Sequence, residues 1–306
     1  MLVSNTPSES TAPAGTLEHD ISRRRGFWNS DVLRRFRRHQ MAQIGVVIIL
    51  VMSVVALLAP WIAPYGPEQI DLPAALEGPT SSHYFGTDAI GRDIFSRILY
   101  GARYSLTIGL VAVAVGLLVG LPIGTISGFR RGWMDVIVMR IVDILFAFPT
   151  ILLALVVITI FGTGLFNAML AIGIAQMPLY ARLMRGVVLQ VRGYEYIEAA
   201  RAIGAGDLRI LARHVLPNSL APIIVQSTLQ LAAAILSAAY LGFLGLGAKP
   251  GTPEWGTMLS EGRNFLAVAP HVTIFPGLAI VIVVLAVNLA GDGLRDALEP
   301  RLQRQT

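Results

Sequence analysis

The chain has 306 residues, of which 54% are hydrophobic and only 14% charged, where a soluble domain carries about 25% charged residues. It contains no cysteine, which excludes disulfides, zinc–thiolate sites, iron–sulfur clusters and cysteine nucleophiles. The net charge of +5 does not point to nucleic acid as a partner, because in so apolar a chain the placement of basic residues matters more than their sum.

From the N-terminus, residues 1–22 are rich in Ser, Thr, Pro and Gly and hold too few large apolar side chains to offset the entropy of ordering, which predicts a disordered cytoplasmic tail. Residues 23–43 form a basic juxtamembrane segment: Arg23, Arg24 and Arg25, then Arg34, Arg35, Arg37 and Arg38. Ser30 or Asp31 is placed to cap a short helix there, lying along the lipid headgroups. The apolar run 44–63 is too long and too far into the chain for a signal peptide, and is read as the first membrane span. A spanning helix needs about 20 apolar residues, and five further runs qualify: 103–127, 136–161, 165–186, 218–243 and 272–291. The predicted fold class is therefore all-α, a polytopic membrane protein with six transmembrane helices over 44–293 and a cytoplasmic tail over 294–306. The stretch Tyr104 to Gly128 has no charge, and its glycines at 116, 120, 124 and 128 repeat every four residues. That spacing puts them on one helix face, where a second helix can approach closely.

Orientation follows from the basic residues. With a cytoplasmic N-terminus, 18 of the 24 Lys and Arg residues fall inside, five (Arg92, Arg97, Arg103, Lys249 and Arg263) fall outside, and Arg140 lies within a span. That bias satisfies the positive-inside rule and places both termini in the cytoplasm.

Ionisable residues at mid-membrane are costly and mark ion-coupled carriers. This chain offers only Arg140 and Asp143, read as an interfacial pair within one turn near the cytoplasmic end of the third span. Gln176 and Asn288 are uncharged and fit interhelical hydrogen bonding or pore lining. The sole lysine, Lys249, precedes a proline, so no G-x-x-x-x-G-K-[ST] phosphate loop exists, and neither H-E-x-x-H nor G-x-S-x-G occurs. The five histidines (19, 39, 83, 214 and 271) are isolated and read as solvated or interfacial, so no metal site is expected. The outer loop 64–102 has five acidic residues (Glu68, Asp71, Glu77, Asp88 and Asp93) against Arg92 and Arg97 and is read as a solvated loop, with tight turns and helix caps over 85–93.

The longest internal cytoplasmic segment, 187–217, is different in kind. Glu195 to Ile203 favours helix, Gly204 can end it in the left-handed conformation, and Asp207 can cap a second short helix that stops before Pro217. Two short helices with a glycine elbow make a compact knob. Ala199 and Ala200 permit close approach of another surface, while Glu198 and Arg201 supply charges that orient it.

Glu198-Ala199-Ala200, Gly204 and Leu216-Pro217 follow the E-A-A-x3-G-x9-I-x-L-P pattern, and the segment resembles that of inner-membrane permease subunits of bacterial ABC importers. His214 stands where the general pattern has Ile, but RHVLPN at 213–218 is similar to the variant of dipeptide, oligopeptide and nickel importers. HYFGTDAIGRDIFSRILYGARYSL (83–106), FLGLGAKPGTPEWGTML (243–259) and NLAGDGLRDALEPRL (288–302) resemble the same subgroup, specifically its C-type permease. Ala238 departs from an acidic residue common in that subgroup.

The resemblance implies one subunit, in the bacterial inner membrane, forming half of a pathway for peptides or a related small solute, with no ATPase site of its own. Its implied partners are a sister permease, two cytoplasmic ATPase subunits or domains carrying ATP and Mg, an external solute-binding protein, and membrane lipid. It further implies that Glu198, Ala199, Ala200, Arg201, Gly204 and Asp207 form a coupling helix seated on an ATPase subunit. The alternative is a stand-alone secondary transporter or channel, which the scarcity of membrane-buried charge and the cytoplasmic knob argue against. An intramembrane enzyme is a third class, and the chain lacks a recognisable catalytic set for it.

Overall fold

The computed structural model describes residues 34–130 and 132–298; the expected tail 1–22, the basic residues 23–33 with the cap at Ser30 or Asp31, and residues 299–306 lie outside the described residues. Within them the protein is helical, its one β-feature being an isolated bridge between Thr87 and Asp93. The helices are α1 (Gln40–Ile62), α2 (Ile94–Arg130), α3 (Trp133–Ala147), α4 (Thr150–Phe161), α5 (Leu165–Arg192), α6 (Glu195–Ala202), α7 (Asp207–Phe243), α8 (Trp255–Gly262) and α9 (His271–Leu298).

Four of them, α1, α2, α7 and α9, are long and apolar enough to cross a bilayer, and α3 with α4 make a fifth candidate bent by 100°. The expected span 136–161 is thus broken in the middle. Pro149 disfavours the helical conformation in the residue before it, and Phe148 accordingly turns extended, with ψ 139°, and ends α3. The expected span 165–186 lies within α5, which is 28 residues long. Asn167, Gln176, Arg182 and Arg185 make α5 less apolar than its neighbours. Its surroundings allow this: α5 packs against α2, α4 and α7, and Ile172, Tyr180, Ala181, Met184 and Val188 are wholly buried, so much of its surface never meets lipid.

The most extensive helix contact is α2 on α5, made along the glycine stripe. A methyl group at Gly120 would come within 2.7 Å of the Met177 carbonyl oxygen, and one at Gly128 within 2.9 Å of Val188 Cβ. Gly173 of α5 returns the fit, with room for no atom beyond hydrogen between it and Val115. Among membrane helices the drive to associate comes from such van der Waals contact, since lipid tails are as apolar as the side chains. A second close approach seats Gly45 of α1 on the backbone of Ala286 and Ala290 in α9.

Two expectations change here. Asp207 lies in the first turn of α7 and makes no side-chain cap; Gly206 holds the cap position. The second short helix does not stop before Pro217 but runs on through a π-helical turn, Leu211–Val215, into the span that ends at Phe243. Proline removes one helical N–H and crowds the carbonyl four residues earlier; the wider π turn relieves both, so the helix passes the proline unbroken.

Candidate functional site

The elbow between α6 and α7 is built from the backbone outward. Gly204 adopts φ +87°, its N–H donates to the Arg201 carbonyl at 2.9 Å, and the Ala205 N–H donates to the Ala200 carbonyl at 2.9 Å. This is the paired C-terminal closure expected of a helix ended by a left-handed glycine. A methyl group at Gly204 would touch nothing within 4 Å, so the glycine is required for its conformation alone.

Two apolar anchors fix the elbow to the bundle. Ile197 of α6 and Ile210 of α7 are buried and join a cluster with Met184, Val188 and Val191 of α5 and Val215 and Ile223 of α7. Opposite these anchors, Glu198, Ala199, Arg201, Gly204 and Asp207 are exposed, and Ala200 is half-buried. The six residues expected to make the contact therefore sit on one short segment. Arg201 and Asp207 approach to 3.8 Å across the elbow, an exposed pair of small energetic weight. Glu195 and Glu198 at the start of α6 and Arg201 at its end match the helix dipole.

The sequence reading missed the two residues that dominate this tip. Ile203 is 87% exposed and Leu208 is 78% exposed, one on each side of Gly204. Large apolar side chains left in water at the apex of a charged loop are the available signal. Behind them Tyr194 stacks on Tyr196 at 5.6 Å, and Gln190 donates to the Tyr194 hydroxyl at 3.0 Å. The tip thus presents exposed apolar, small and charged side chains on a backbone closed at Gly204 and anchored at Ile197 and Ile210.

Arg192, in the last turn of α5, donates to the carbonyl of Phe129 at the end of α2, and its guanidinium lies 5.1 Å from that ring. Above it Arg185 holds Asp135 with two bonds of 2.7 Å, and Ser127 of α2 also donates to Asp135. Asp135 is 7% exposed. This junction of α2, α3 and α5 was not expected from sequence. The expected pair of Arg140 and Asp143 is corrected as well: Asp143 lies 3.6 Å from Arg182 of α5.

At the other end of α2 the loop read as solvated divides in two: Glu68, Asp71 and Glu77 are exposed as expected, whereas the part next to α2 is a buried ionic cluster. Asp88, Arg92, Asp93 and Arg97 are all less than 9% exposed. Arg92 binds Asp88 at 2.6 Å and Glu261 at 2.8 Å, and Arg97 shares Glu261 at 3.2 Å. The expected turns are present, with Gly86 and Gly91 at φ +76° and +83° and Asp93 Oδ2 accepting from the Ser96 N–H at 2.7 Å to cap α2. For residues 88–97 the solvation differs from the expectation, because α8 brings a partner carboxylate, Glu261, from far along the chain. His83 is likewise buried, 2.9 Å from Asp93 and stacked on Tyr65, instead of solvated. Among the described residues no group of three or more His, Asp and Glu could hold a metal ion.

The fold defines a helical protein with four helices, or five with the bent pair, long and apolar enough to cross a membrane. The chain matches the family described as binding-protein-dependent transport system inner membrane component over residues 120–304, and the N-terminal transmembrane domain of oligopeptide transport permease C over residues 26–79. It is 49% identical to the glutathione transport system permease protein GsiD of Escherichia coli over 278 residues, 90% of each chain, and equally similar to the GsiD of Shigella boydii. In fold it is similar to an inward-facing structure of the MetNI methionine ABC transporter (TM-score 0.55, 24% identity, 67% of this chain and 98% of that one). It is also similar in fold to an amino acid ABC transporter solved with histidines (TM-score 0.52, 14% identity, 66% and 94%). The chain belongs to the binding-protein-dependent inner-membrane transport family. It is a multi-pass permease subunit of an ABC importer of the peptide-transport group, without an ATPase site of its own.

Proposed function

We propose that this subunit carries a peptide of two or three residues, glutathione among the candidates, through a pathway it forms with a sister permease, and that the α6–α7 elbow is where ATP-driven motion enters it. The observation that carries this is the apex itself: Ile203 and Leu208 stand exposed on either side of a left-handed Gly204, on a segment anchored by Ile197 and Ile210. Such a tip, small in the middle and apolar at the shoulders, fits a cleft in another protein and transmits force because its backbone is closed and its base is buried. Glu198, Ala199, Ala200, Arg201, Gly204 and Asp207 make the contact with the ATPase subunit.

In this reading six spans cross the membrane, with α3 and α4 together as the third and α5 as a polar, bundle-buried fourth. The elbow and both termini face the cytoplasm, as the distribution of Arg residues favours. Two ATPase subunits bind ATP and Mg, and a separate external protein delivers the solute. Because the GsiD proteins it matches are named for glutathione transport, labelled glutathione is the first solute to try. The test is affinity purification of the tagged chain from gently solubilised membranes, with and without Ile203→Asp and Leu208→Asp together. Recovery of a second permease and ATPase subunits with the native chain, and loss of the ATPase subunits alone from the variant, is the expected result. A chain that purifies alone and accumulates solute in vesicles without ATP overturns the reading and makes it a stand-alone carrier.

A further inference from the structure

Arg182 of α5 and Asp143 of α3 make a loose and open ion pair. Their nearest atoms are 3.6 Å apart, beyond hydrogen-bond reach, and the two side chains are 50% and 51% exposed. Asp135 and Arg185, nearer the ends where α3 starts and α5 stops, bond twice at 2.7 Å by contrast. The Arg182 guanidinium lies over the Phe146 ring at 4.5 Å, and among the described residues Asp143 and this ring are its only partners. A planar fork of N–H donors is thus held flat on an aromatic face with no hydrogen bond made. Asp143 is ten residues into α3 (133 to 143) and Arg182 ten from the end of α5 (182 to 192), so each stands about 15 Å along its helix. Both are measured from the same side, since Arg192 donates to the Phe129 carbonyl just before α3 begins.

In the six-span reading this depth is inside a hydrocarbon core about 30 Å thick, where charged side chains turn to the bundle interior or to water and mark solute pathways. The surroundings agree. Phe146 also lines a cavity of about 400 Å³ at the α3–α4 break, and so does Leu179, one turn from Arg182. In the other direction the stripe of α5 that carries Arg182 continues in Gly186 and Gln190, both exposed, with open space for 4 Å around a side chain at position 186. A different face of α3 presents Ile137, Ile141 and Ile144, the apolar surface that suits lipid. The pair therefore stands between a cavity and a polar strip, away from that face.

We propose that Arg182 and Asp143 are the charge-matching pair of the solute pathway: Arg182 takes the carboxylate of a zwitterionic peptide in a bidentate grip, and Asp143 takes its ammonium group. The inference rests on the importer reading above and adds the residues that meet the cargo inside the membrane. Without solute the two side chains compensate one another. With a zwitterion between them each gains a better partner, because a two-pronged Arg–carboxylate bond is stronger than a contact at 3.6 Å. No charge is stranded at any step, and a stranded charge at this depth is costly. A solute with only one of the two charges would strand its counterpart, so the pair favours zwitterions after the external protein has delivered them. Phe146 keeps the guanidinium flat and turned to the opening.

The experiment uses the complete importer with its binding protein in proteoliposomes, and measures ATP-driven uptake of labelled glutathione and of labelled alanylalanine, ATP hydrolysis, and the subunits that purify together. Arg182→Gln and Asp143→Asn should each lower maximal uptake about tenfold, the worth of one charge-assisted hydrogen bond. The half-saturating concentration of loaded binding protein and the rate of ATP hydrolysis should not change. The double variant separates cargo binding from a structural role. An ion pair this exposed adds little stability, so removing both charges should leave the importer assembled, with uptake no better than in either single variant. Native uptake in either single variant overturns the proposal. Recovery of native uptake in the double variant overturns it too, since the pair then serves only itself. So does loss of the sister permease from the double variant, because the pair is then a subunit interface. A native importer that accumulates neither solute with ATP present is a different failure: it removes the peptide reading itself, and the charge-matching role with it.

Discussion

Arg185 grips Asp135 with two bonds, Nε and Nη2 each 2.7 Å from a different carboxylate oxygen. The first lies in the lower half of α5 and the second in the first turn of α3, so the pair pins the start of the broken helix to the most deeply packed one. Ser127, donating to the same carboxylate, extends the hold to α2.

Removing one partner should therefore cost more than an exposed ion pair would. Asp135→Ala leaves Arg185 and Ser127 without their acceptor and should destabilise the subunit by about 2 kcal/mol, the range for lost hydrogen bonds to a charged group. Replacing Arg185 by Met in the same chain should add little to that loss. Thermal unfolding of the four proteins of this cycle in detergent measures the coupling, and simple additivity of the two changes would show that the pair carries no joint stabilisation.

The elbow makes an ordered prediction. With φ +87° and no neighbour within 4 Å of a side chain at position 204, the penalty is conformational and not steric. Gly204→Asn should be mild, Gly204→Ala should cost about 1 kcal/mol of local stability, and Gly204→Val should be worst, because β-branched residues resist the left-handed region most. ATP-driven uptake should fall in that order while the chain remains inserted. Equal activity in Gly204→Val would mean that this turn does not need to be rigid.

Glycine to alanine should act in opposite directions at two places in the bundle. At Gly120 the added methyl meets the Met177 carbonyl oxygen at 2.7 Å, and the α2–α5 contact must open. At Gly186 it meets nothing within 4 Å on the same α5 helix. Gly120→Ala should lower the unfolding midpoint, and Gly186→Ala should raise it, by about 0.5 to 1 kcal/mol for a helix interior. A matching shift at both positions would contradict the close packing of the stripe.

Glu254 caps α8, accepting from the N–H groups of Gly256 at 2.9 Å and Thr257 at 2.7 Å, and burial raises its carboxyl above the usual range despite these bonds. The folded state thus favours the protonated form more than the unfolded state does. The associated stability is complete below the ordinary carboxyl pKa and is lost as pH rises through the raised value. Glu254→Gln should flatten the dependence of unfolding midpoint on pH across that window. A variant that keeps the native slope would place the titration elsewhere.

The elbow was legible in the sequence because its determinants are local. Gly204 ends α6 by its own backbone freedom, and Ala199 and Ala200 are small wherever the helix lies. Ile203 and Leu208 were also in plain view, but their meaning depends on exposure, which chain position does not state. The glycine stripe announced close packing and named no partner; that α5 fills it is a result of three-dimensional assembly. His83 looked like an isolated loop histidine until Asp93 and Tyr65 closed around it.

What the sequence determined by itself was therefore whatever arises within a few residues: apolar runs of membrane length, the left-handed glycine and the turns before α2; the break at Phe148-Pro149 was not among them, since Pro60, Pro122, Pro178, Pro222 and Pro276 lie inside helices. The tertiary structure alone decided which charges are buried. Arg97 and Glu261 are 164 residues apart, and Asp135 and Arg185 are 50 apart. No spacing rule links them. The energy of burying each charge depends on the opposite charge that packing delivers, and that delivery is a property of the folded bundle and not of either segment.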